Sequence, residues 1–485
     1  MSGFSRTVTV RLKADTTYVY EILRLTLSAE RHIGFDVHMC RLKAVAGWIV
    51  AASIGATAVN GQTRASSGAV FFEGARLIVG DATVIERSAF LVQNGGFVSV
   101  GRQGALTPPP GAVRVDLAGK TVMPAIIDIH THLGYRKGAT FSADNFTREN
   151  LLDELQRFAA YGVAAVASAG TDRGELTFQL RAMPGGGALV RTAGRGLAPP
   201  DAGPAPPMRS APYGVSSVEE ARRDVRELAA RKVDFVKIWV DDRNGTVPKL
   251  APALYRAIID EAHKSHLRVL AHIATLADAK DLLRAGLDGF LHPVRDRDVD
   301  DELLTMLEAR PAVFFALTLF APRLGTYDTK PRWLTESVRT GSVWPEEAAR
   351  LGDFVAGRTP EAIAAAREEW ARLARNVAKL NAAGVRIALG TDVGGASAGG
   401  LFGWAEHVEL EHMVAAGLTP AQAIVAATST AAAVLGLDRL GTVAAGKSAD
   451  FIVLDRNPLE DITNTRRIGR VYLRGQEVSR RAGTF

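Results

Sequence analysis

Hydrophobic positions follow two different patterns along this chain. Between residues 69 and 122, short apolar runs alternate with turn residues, and Asn94-Gly95 interrupts the run at 89–100 as the tight turn of a predicted β-hairpin. Residues 449–455 and 470–478 repeat the strand pattern, with Arg474-Gly475 as the turn of the last pair. Strands at both chain ends predict one small β-sandwich, whose two parts are residues 66–122 and 437–485.

The second pattern fills residues 123–436, where apolar segments of strand length alternate with amphipathic helices. This alternation predicts an α/β fold with a parallel sheet, closed as a (β/α)8 TIM barrel. The expected barrel strands lie at residues 126–132, 163–168, 188–193, 233–239, 268–272, 287–292, 312–319 and 385–391. A capping box from Thr419 to Gln422, with Pro at the first helical position, predicts the start of the last helix, which should end at Gly436.

Two long connections follow predicted strands and should therefore lie on the face where barrel active sites form. Residues 198–213 contain six prolines, and residues 321–373 contain Trp333, Trp344 and Trp370. Connections of this length are often lids or walls of a binding site. For the second connection, the alternative is a helical decoration packed against the barrel.

The amino terminus has the order of a secretory signal peptide. Arg41 and Lys43 precede an apolar stretch at residues 44–59, in which a small-residue Ala-Thr-Ala sequence ends at Ala58. We expect a signal peptide at residues 39–58, cleavage near Ala58, and a periplasmic or secreted bacterial protein. The stretch is shorter than the ~20 apolar residues of a membrane span, so no anchor is expected after cleavage. A buried first helix is the alternative, and residues 1–38 form an upstream segment if translation starts at Met39.

Composition limits the classes of function. The chain has 485 residues, 47% hydrophobic and 23% charged, which suits one large barrel with a small accessory domain. The net charge of +6 is modest, and no run of basic residues predicts a nucleic-acid partner. A single cysteine, Cys40, excludes an intrachain disulfide framework and a thiolate zinc site. The expected partner is a small-molecule substrate, and a homo-oligomer is compatible with this composition.

Side chains that can bind metal lie at or near the ends of the predicted strands. His130 and His132 are two apart on one strand and project from the same face, so both imidazoles can reach one ion. Separate apolar runs carry four more such side chains: Lys237, His272, His292 and Asp392. Taken singly, each has an ordinary interpretation, such as a core histidine, a snorkelling lysine or a capping aspartate. Their occurrence in barrel order predicts a two-metal hydrolase.

These motifs resemble the amidohydrolase superfamily, and most closely its imidazolonepropionase-like and Xaa-Pro dipeptidase-like branch. The resemblance runs from about Ala69 to Val478. It rests on the Pro-Ala-Ile-Ile-Asp-Ile-His-Thr-His strand, the Phe-Val-Lys-Ile strand, the Gly-Thr-Asp sequence and the closing Ala-Gly-Lys-Ser-Ala-Asp-Phe-Ile-Val-Leu-Asp segment. Ala125 stands where the family usually has Gly, and its extra methyl group predicts only a small local adjustment.

The resemblance implies a role for each ligand. Lys237 is implied to capture carbon dioxide and bridge two divalent ions as a carbamate. His130, His132 and Asp392 would hold one ion, and His272 and His292 the other, with zinc as the default and manganese, cobalt or iron as alternatives. The ions would lower the pKa of a bridging water to make the attacking hydroxide. Asp392 is expected to act as general base and then general acid.

The substrate is less clear from the sequence. Deaminases of this superfamily carry Glu three residues after the fifth-strand His, and Thr275 occupies that position, which disfavours ring deamination. A dipeptide substrate requires cationic or hydroxyl partners for its carboxylate. Tyr135, Arg195 and Arg295 follow barrel strands and are candidates, with surface or supporting roles as the alternative. Two further histidines, at 407 and 412, are expected to be solvated or structural.

The sequence therefore predicts a metal-dependent hydrolase of amide or peptide C–N bonds, acting on dipeptides or N-acyl amino acids. A lactonase, esterase or organophosphate hydrolase is the alternative enzyme, because those reactions use the same metal centre. A non-catalytic metal- or ligand-binding protein is the remaining alternative.

Overall fold

The computed structural model describes residues 68–182, 187–396 and 399–480, all within the compact unit Arg64–Phe485. The predicted signal peptide, the upstream segment and Cys40 lie outside these ranges. Among the described helices, none combines the length and the apolar character needed to cross a membrane.

Eight parallel strands form the centre of an α/β fold. In chain order they are Ile126–Thr131, Val163–Ser168, Leu189–Thr192, Val236–Val240, Val269–Ile273, Gly289–Phe290, Phe314–Ala316 and Arg386–Ala388. A short strand, Leu197–Ala198, extends the third strand's connection and pairs in parallel with the fourth. Backbone hydrogen bonds close the ring, because the Ile129 amide donates to Leu389 (3.1 Å) and the Asp392 amide donates to His130 (2.8 Å).

All eight barrel strands overlap their predicted positions, although six are shorter than expected, the last three by the largest margin. The seventh was predicted to reach residue 319 and ends at Ala316. Thr318 explains the difference, because its φ of 46° is left-handed rather than extended. Its amide instead donates to the Gly390 carbonyl, 3.0 Å away, which joins the ends of the seventh and eighth strands.

Helices connect and surround the strands. Their bounds are Arg148–Ala160, Leu176–Arg181, Val218–Ala230, Pro252–Lys264, Leu276–Ala285, Asp301–Glu308, Phe320–Leu324, Arg332–Thr340, Pro345–Ala356, Pro360–Ala382, Trp404–Ala415, Pro420–Val425 and Ala431–Leu435. The predicted capping box of Thr419 and Gln422 is present, and Gly436 ends the last helix in a left-handed conformation. A π-helical turn, Ala426–Thr430, joins the two final helical pieces, and the Ala426 carbonyl accepts the Leu389 amide at 3.1 Å.

Strands from both chain ends form one mixed sheet, as the sequence predicts. Its six strands, in spatial order, are Gln476–Glu477, Ile468–Leu473, Phe451–Leu454, Thr121–Pro124, Arg76–Ile78 and Val84–Ile85. A second, four-stranded sheet uses amino-terminal residues alone: Gly96–Arg102, Ser88–Gln93, Val70–Glu73 and Val113–Asp116. The two sheets share an aromatic core, in which Phe72 lies 5.3 Å from Phe451 and 5.2 Å from Tyr472 between ring centroids.

The two predicted turns form as expected. Asn94 and Gly95 have φ of 51° and 76°, and Arg474 and Gly475 have φ of 51° and 74°. Positive φ at both central positions matches the right-handed twist of the flanking strands.

The two long connections pack differently. The proline-rich connection lies against the barrel mouth, and its Pro204, Ala205 and Met208 line the central cavity. The later connection is mostly helical, and its Trp333 and Trp370 are buried in packing contacts. Its first residues reach the cavity, but its buried tryptophans favour the interpretation as a helical decoration.

Candidate metal centre and active site

Three of the predicted ligands converge at the carboxyl ends of the first and eighth strands. Asp392 Oδ1 lies 3.4 Å from His130 Nε2 and 3.1 Å from His132 Nε2. The candidate ligand atoms of these residues all lie within 4.8 Å of one another. Asp392 has a φ of 61°, a strained conformation for a residue with a side chain, and strain of this kind concentrates at functional sites.

Asp128 fixes the two strands that carry these ligands. Its carboxylate accepts the His130 amide at 2.9 Å and the Thr391 hydroxyl at 2.5 Å. Asp128 is fully buried, and burial raises the pKa of its carboxyl and of the neighbouring Glu406 carboxyl. The same carboxylate therefore positions the residues beside both His130 and Asp392.

Lys237 projects from the fourth strand into the barrel and is completely buried. Its Nζ has no hydrogen-bond partner within the described residues. Burial lowers the pKa of Lys237 to about 7, which favours the neutral amine. Gly170 makes room for this side chain, because a Cβ at that position would lie 2.8 Å from Lys237 Cγ.

His272 and His292 complete the cluster from the fifth and sixth strands. Their ring centroids are 4.3 Å apart, and His292 is 4.9 Å from His130. His292 Nδ1 contacts the Thr318 hydroxyl at 2.7 Å, and His272 Nε2 contacts Asp241 at 2.9 Å. The opposite ring nitrogens, Nε2 of His292 and Nδ1 of His272, are therefore the ones available to a metal.

The chemistry of this cluster fits metal ions. Burial lowers the pKa of His130 and His292 well below the ordinary value and that of His272 to about 4, so all three are neutral near pH 7, as metal binding requires. Both ring nitrogens of His130 are buried without a hydrogen-bond partner in the described chain, which is costly unless a ligand completes the site. Burial raises the pKa of Asp392, but the nearby basic groups of His130 and Lys237 and a hydrogen bond with the His132 imidazole hold it below its usual range, which keeps the carboxylate anionic.

A cavity of about 210 Å³ opens beside the cluster. Its walls combine apolar and charged side chains: His132, Pro204, Ala205, Met208, Trp239, Asp241, Arg243, His272, His292, Arg295, Thr318, Ala321, Pro322, Asp392, Gly395 and Ala396. Asp241 and Arg243 were not predicted from the sequence. The spacing of Asp241 from Lys237 was an available signal, because alternate residues of a strand share a face and Asp241 directly follows the strand. Arg243 gave no such signal, because its φ of 50° is not extended.

The predicted substrate-binding residues divide into two groups. Arg295 lines the cavity. Tyr135 is buried behind the cavity wall, where it packs with Ala205 and Met208, and it donates its hydroxyl to the Thr171 carbonyl at 2.6 Å. Arg195 donates to the carbonyls of Ala211 and Pro212 and so holds the proline-rich connection. Within the described residues, the structure brings neither Tyr135 nor Arg195 to the cavity, because their polar atoms serve the backbone.

Three further residues considered in the sequence analysis, Thr275, His407 and His412, have contacts away from the metal centre. Thr275 caps the helix that begins at Leu276, by accepting the Asp278 amide. His407 is buried and contacts the Tyr161 carbonyl at 2.8 Å, and His412 is buried near Phe320. These two histidines were expected to be solvated or structural, and their burial agrees with a structural role.

A parallel α/β barrel with imidazoles and a carboxylate gathered at the carboxyl ends of its strands defines a metal-dependent hydrolase. The model of the amidohydrolase family matches residues 121–478, and the chain belongs to this family. This confirms the family predicted from the sequence.

Similar proteins extend over most of the chain. Ochratoxinase from Aspergillus niger is 27% identical over 443 residues, covering 80% of this chain and 81% of that protein. Imidazolonepropionase from Deinococcus radiodurans is 26% identical over 421 residues, covering 82% of this chain and 94% of that protein. A solved Xaa-Pro dipeptidase with bound methionine in the active site has a TM-score of 0.66 and 21% identity, over 84% of this chain and 99% of its own. The last comparison shows the shared fold.

Proposed function

We propose that the protein is a binuclear metal-dependent hydrolase that cleaves amide or peptide C–N bonds in dipeptides or N-acyl amino acids. The observation that carries this proposal is the buried cluster of six potential ligands at the barrel mouth, in which His130 and Lys237 have buried polar atoms without partners among the described residues. Buried polar groups of this kind are rare unless they bind something.

The chain offers ligands for two ions. His130, His132 and Asp392 would hold one ion, His272 and His292 the other, and a carboxylated Lys237 would bridge them. The neutral amine that burial favours at Lys237 is the form that reacts with carbon dioxide. When bound, divalent ions supply a hydroxide at neutral pH and polarise the substrate carbonyl, and zinc is the default choice.

Asp392 has the position and charge for proton transfer. It is an ionised carboxylate that faces both the histidine pair and the cavity. It would accept the proton released as the nucleophile attacks and return it to the leaving nitrogen, which makes the leaving group a neutral amine. The apolar walls at Pro204 and Met208 would exclude water from the bond being cleaved.

The size of the cavity supports a small substrate. About 210 Å³ is below the ~300–1,000 Å³ of sites that hold drug-sized ligands. One protein of similar fold is a Xaa-Pro dipeptidase, an enzyme named for a dipeptide substrate, which agrees with this proposal. Lactone, ester or organophosphate hydrolysis is the second candidate, since the same metal cluster would serve it.

A substrate screen tests the proposal. The protein is loaded with zinc in the presence of bicarbonate, its metal content is measured by elemental analysis, and dipeptides, N-acyl amino acids, lactones and phosphotriesters are assayed side by side. We expect about two ions per chain and turnover of the amide substrates. A fully active protein with one ion contradicts the binuclear centre. Turnover of lactones alone supports the second candidate, and no turnover of any substrate by the two-metal protein supports a binding protein.

A further inference from the structure

Arg243 is held at the cavity by an unusual backbone conformation. Lys237, Trp239, Asp241 and Arg243 follow one another at alternate positions, and the last three line the cavity. Arg243 has a φ of 50°, which side chains rarely adopt. Its amide donates to Asp241 Oδ1 at 2.9 Å, and its guanidinium donates to the Gly203 carbonyl at 2.6 Å. These contacts fix the arginine against the proline-rich wall.

Arg295 reaches the same cavity from the connection after the sixth strand. Its amide donates to the Ala274 carbonyl at 2.8 Å, and its Nη2 donates to the Ile273 carbonyl at 3.1 Å. Its Nε is buried and has no hydrogen-bond partner among the described residues. Because a guanidinium has five N–H donors, Arg295 retains donors for a further acceptor.

Two carboxylates, Asp241 and Asp392, line the same cavity, and both have contacts with the histidines of the cluster. Asp241 is already committed, since its Oδ2 contacts His272 Nε2 at 2.9 Å and its Oδ1 accepts the Arg243 amide. Part of the surrounding wall is apolar, at Pro204, Met208 and Trp239. Arg295 nevertheless keeps a buried Nε without a hydrogen-bond partner among the described residues, and a buried donor of this kind favours an anionic acceptor, because leaving it unpaired is costly.

We propose that Arg243 and Arg295 form a carboxylate-binding subsite beside the metal centre, which restricts the enzyme to substrates with a free carboxylate on the amine side of the cleaved bond. The inference rests on the proposed function and assigns the residues that would recognise the carboxylate of its substrates. A carboxylate is the fitting ligand because its two oxygens accept paired N–H donors from a guanidinium. Asp241 connects this pair to the candidate metal ligands, because it accepts the Arg243 amide and contacts His272, so a carboxylate bound by the arginines would lie on the same side of the cavity as the metal centre.

Matched acid and amide substrates test this subsite. kcat and KM are measured for N-acetyl-L-methionine and N-acetyl-L-methioninamide, and for alanyl-proline and alanyl-prolinamide. We expect the wild-type protein to prefer each acid by about 10²-fold or more in kcat/KM. Arg243→Gln and Arg295→Gln should each lower kcat/KM for the acids by about 10²-fold, mainly through KM, and leave the amides nearly unchanged.

Arg297→Gln is the matched control. Arg297 lies two residues from Arg295, but its side chain is 69% exposed and pairs with Asp296. This variant should keep the wild-type preference for acids. Metal content is measured in every variant, so that loss of the metal centre is separated from loss of the subsite. An equal kcat/KM for acid and amide in the wild type, or an unchanged ratio in both cavity variants, overturns the inference.

Binding measurements distinguish failure of the subsite from failure of the proposed reaction. Calorimetry with the zinc-loaded protein compares N-acetyl-L-methionine with its amide. Binding of the acid alone, lost in Arg295→Gln, supports the subsite even if no substrate is hydrolysed, in which case the proposed function fails by itself. Hydrolysis of acid and amide at equal rates would support the proposed function and reject the carboxylate-binding subsite.

Discussion

The candidate ligands at the barrel mouth differ in whether their side chains have hydrogen-bond partners. The ring nitrogens of His130 and the Nζ of Lys237 have no hydrogen-bond partner among the described residues. His132, His272 and His292 each have a hydrogen-bond partner at one ring nitrogen. A partner at one ring nitrogen fixes the orientation of the ring and leaves the other nitrogen available to a metal. The neighbouring threonines and Asp241 therefore determine which nitrogen of each imidazole can bind an ion. The chemistry of the site therefore depends on residues that no ligand motif includes.

Asp392→Asn separates two roles of this residue. Asparagine keeps the size and one coordinating oxygen but cannot accept a proton, so metal content should fall modestly while kcat falls by about 10²-fold or more. The low-pH limb of the rate profile should weaken as well, because it reports ionisation of the water and this carboxylate together. Steady-state kinetics and elemental analysis on the same samples measure both. An Asp392→Asn protein with full metal content and normal turnover would leave Asp392 as a ligand only.

Lys237→Ala removes the group proposed to bridge the ions. We expect loss of activity and of bound metal, with partial rescue by formate or acetate, since a small carboxylate can replace the two oxygens of a carbamate. Activity is measured with increasing carboxylate concentration, and chloride at the same ionic strength is the control. Full activity without any added carboxylate would show that the bridge is unnecessary.

The sequence located the candidate ligands better than their surroundings. His130, His132 and Asp392 were identifiable because each ends an apolar run in barrel order, and strand ends meet on one face. Tyr135 and Arg195 satisfied the same positional rule but turned toward backbone carbonyls, and Asp241 and Arg243 were missed. Loop direction depends on hydrogen bonds to distant segments, such as the bond from Arg243 to Gly203, which periodicity does not reveal.

At the scale of elements, the helix Trp404–Ala415 is unusual because it buries acidic side chains against the barrel. Glu406 lies beside Asp128, and Glu409 accepts the Leu319 amide at 2.6 Å. Burial raises the pKa of Glu409 to about 8. This helix therefore supports the ends of the first and seventh strands with carboxyl groups whose charged form is disfavoured.

Glu409→Gln should change how stability depends on pH. The folded pKa of about 8 lies above the ordinary value of 4.5, so folding favours the protonated acid and wild-type stability declines as pH rises from about 4.5 to 8. Glutamine keeps the acceptor for Leu319 but cannot ionise. As the pH rises across this range, the free energy of unfolding should therefore increase in the variant relative to the wild type. The increase should be at most about 1.4 kcal/mol per pH unit.

Urea unfolding at pH 5, 6.5 and 8 measures this gain, and Glu411→Gln in the same helix is the control for removing one carboxylate. Parallel stability curves for Glu409→Gln and the wild type would contradict a buried neutral acid at this position.

At the scale of the whole molecule, the barrel and the mixed sheet depend on both chain ends. The strand Thr121–Pro124 directly precedes the first barrel strand, and Phe451–Leu454 pairs with it in the mixed sheet. The Ala125 amide also donates to Asp450 at 3.0 Å. The sheet therefore holds the backbone immediately before the strand that carries His130 and His132, and its structural role was predictable from strands at both ends.

Export of the whole protein depends on the predicted signal peptide at residues 39–58, which lies outside the described residues. If the predicted signal peptide is functional, the mature protein should begin near Val59. Amino-terminal sequencing of protein from the periplasm or medium checks this, with a Lys43→Glu variant in the basic region as a control that should slow export. Active protein that retains residues 1–58 inside the cell would contradict the prediction.

The bond between Asp128 and Thr391 has a consequence for how the enzyme is made. These residues are 263 positions apart, so the contact that aligns both halves of the candidate metal centre is strongly non-local. Contacts of this kind form late in folding, because a long loop must close first. During synthesis, His130 and His132 leave the ribosome long before Asp392 exists. The nascent chain should therefore gain tight metal binding only near completion, which would protect an unfinished barrel from trapping ions in an incorrect arrangement.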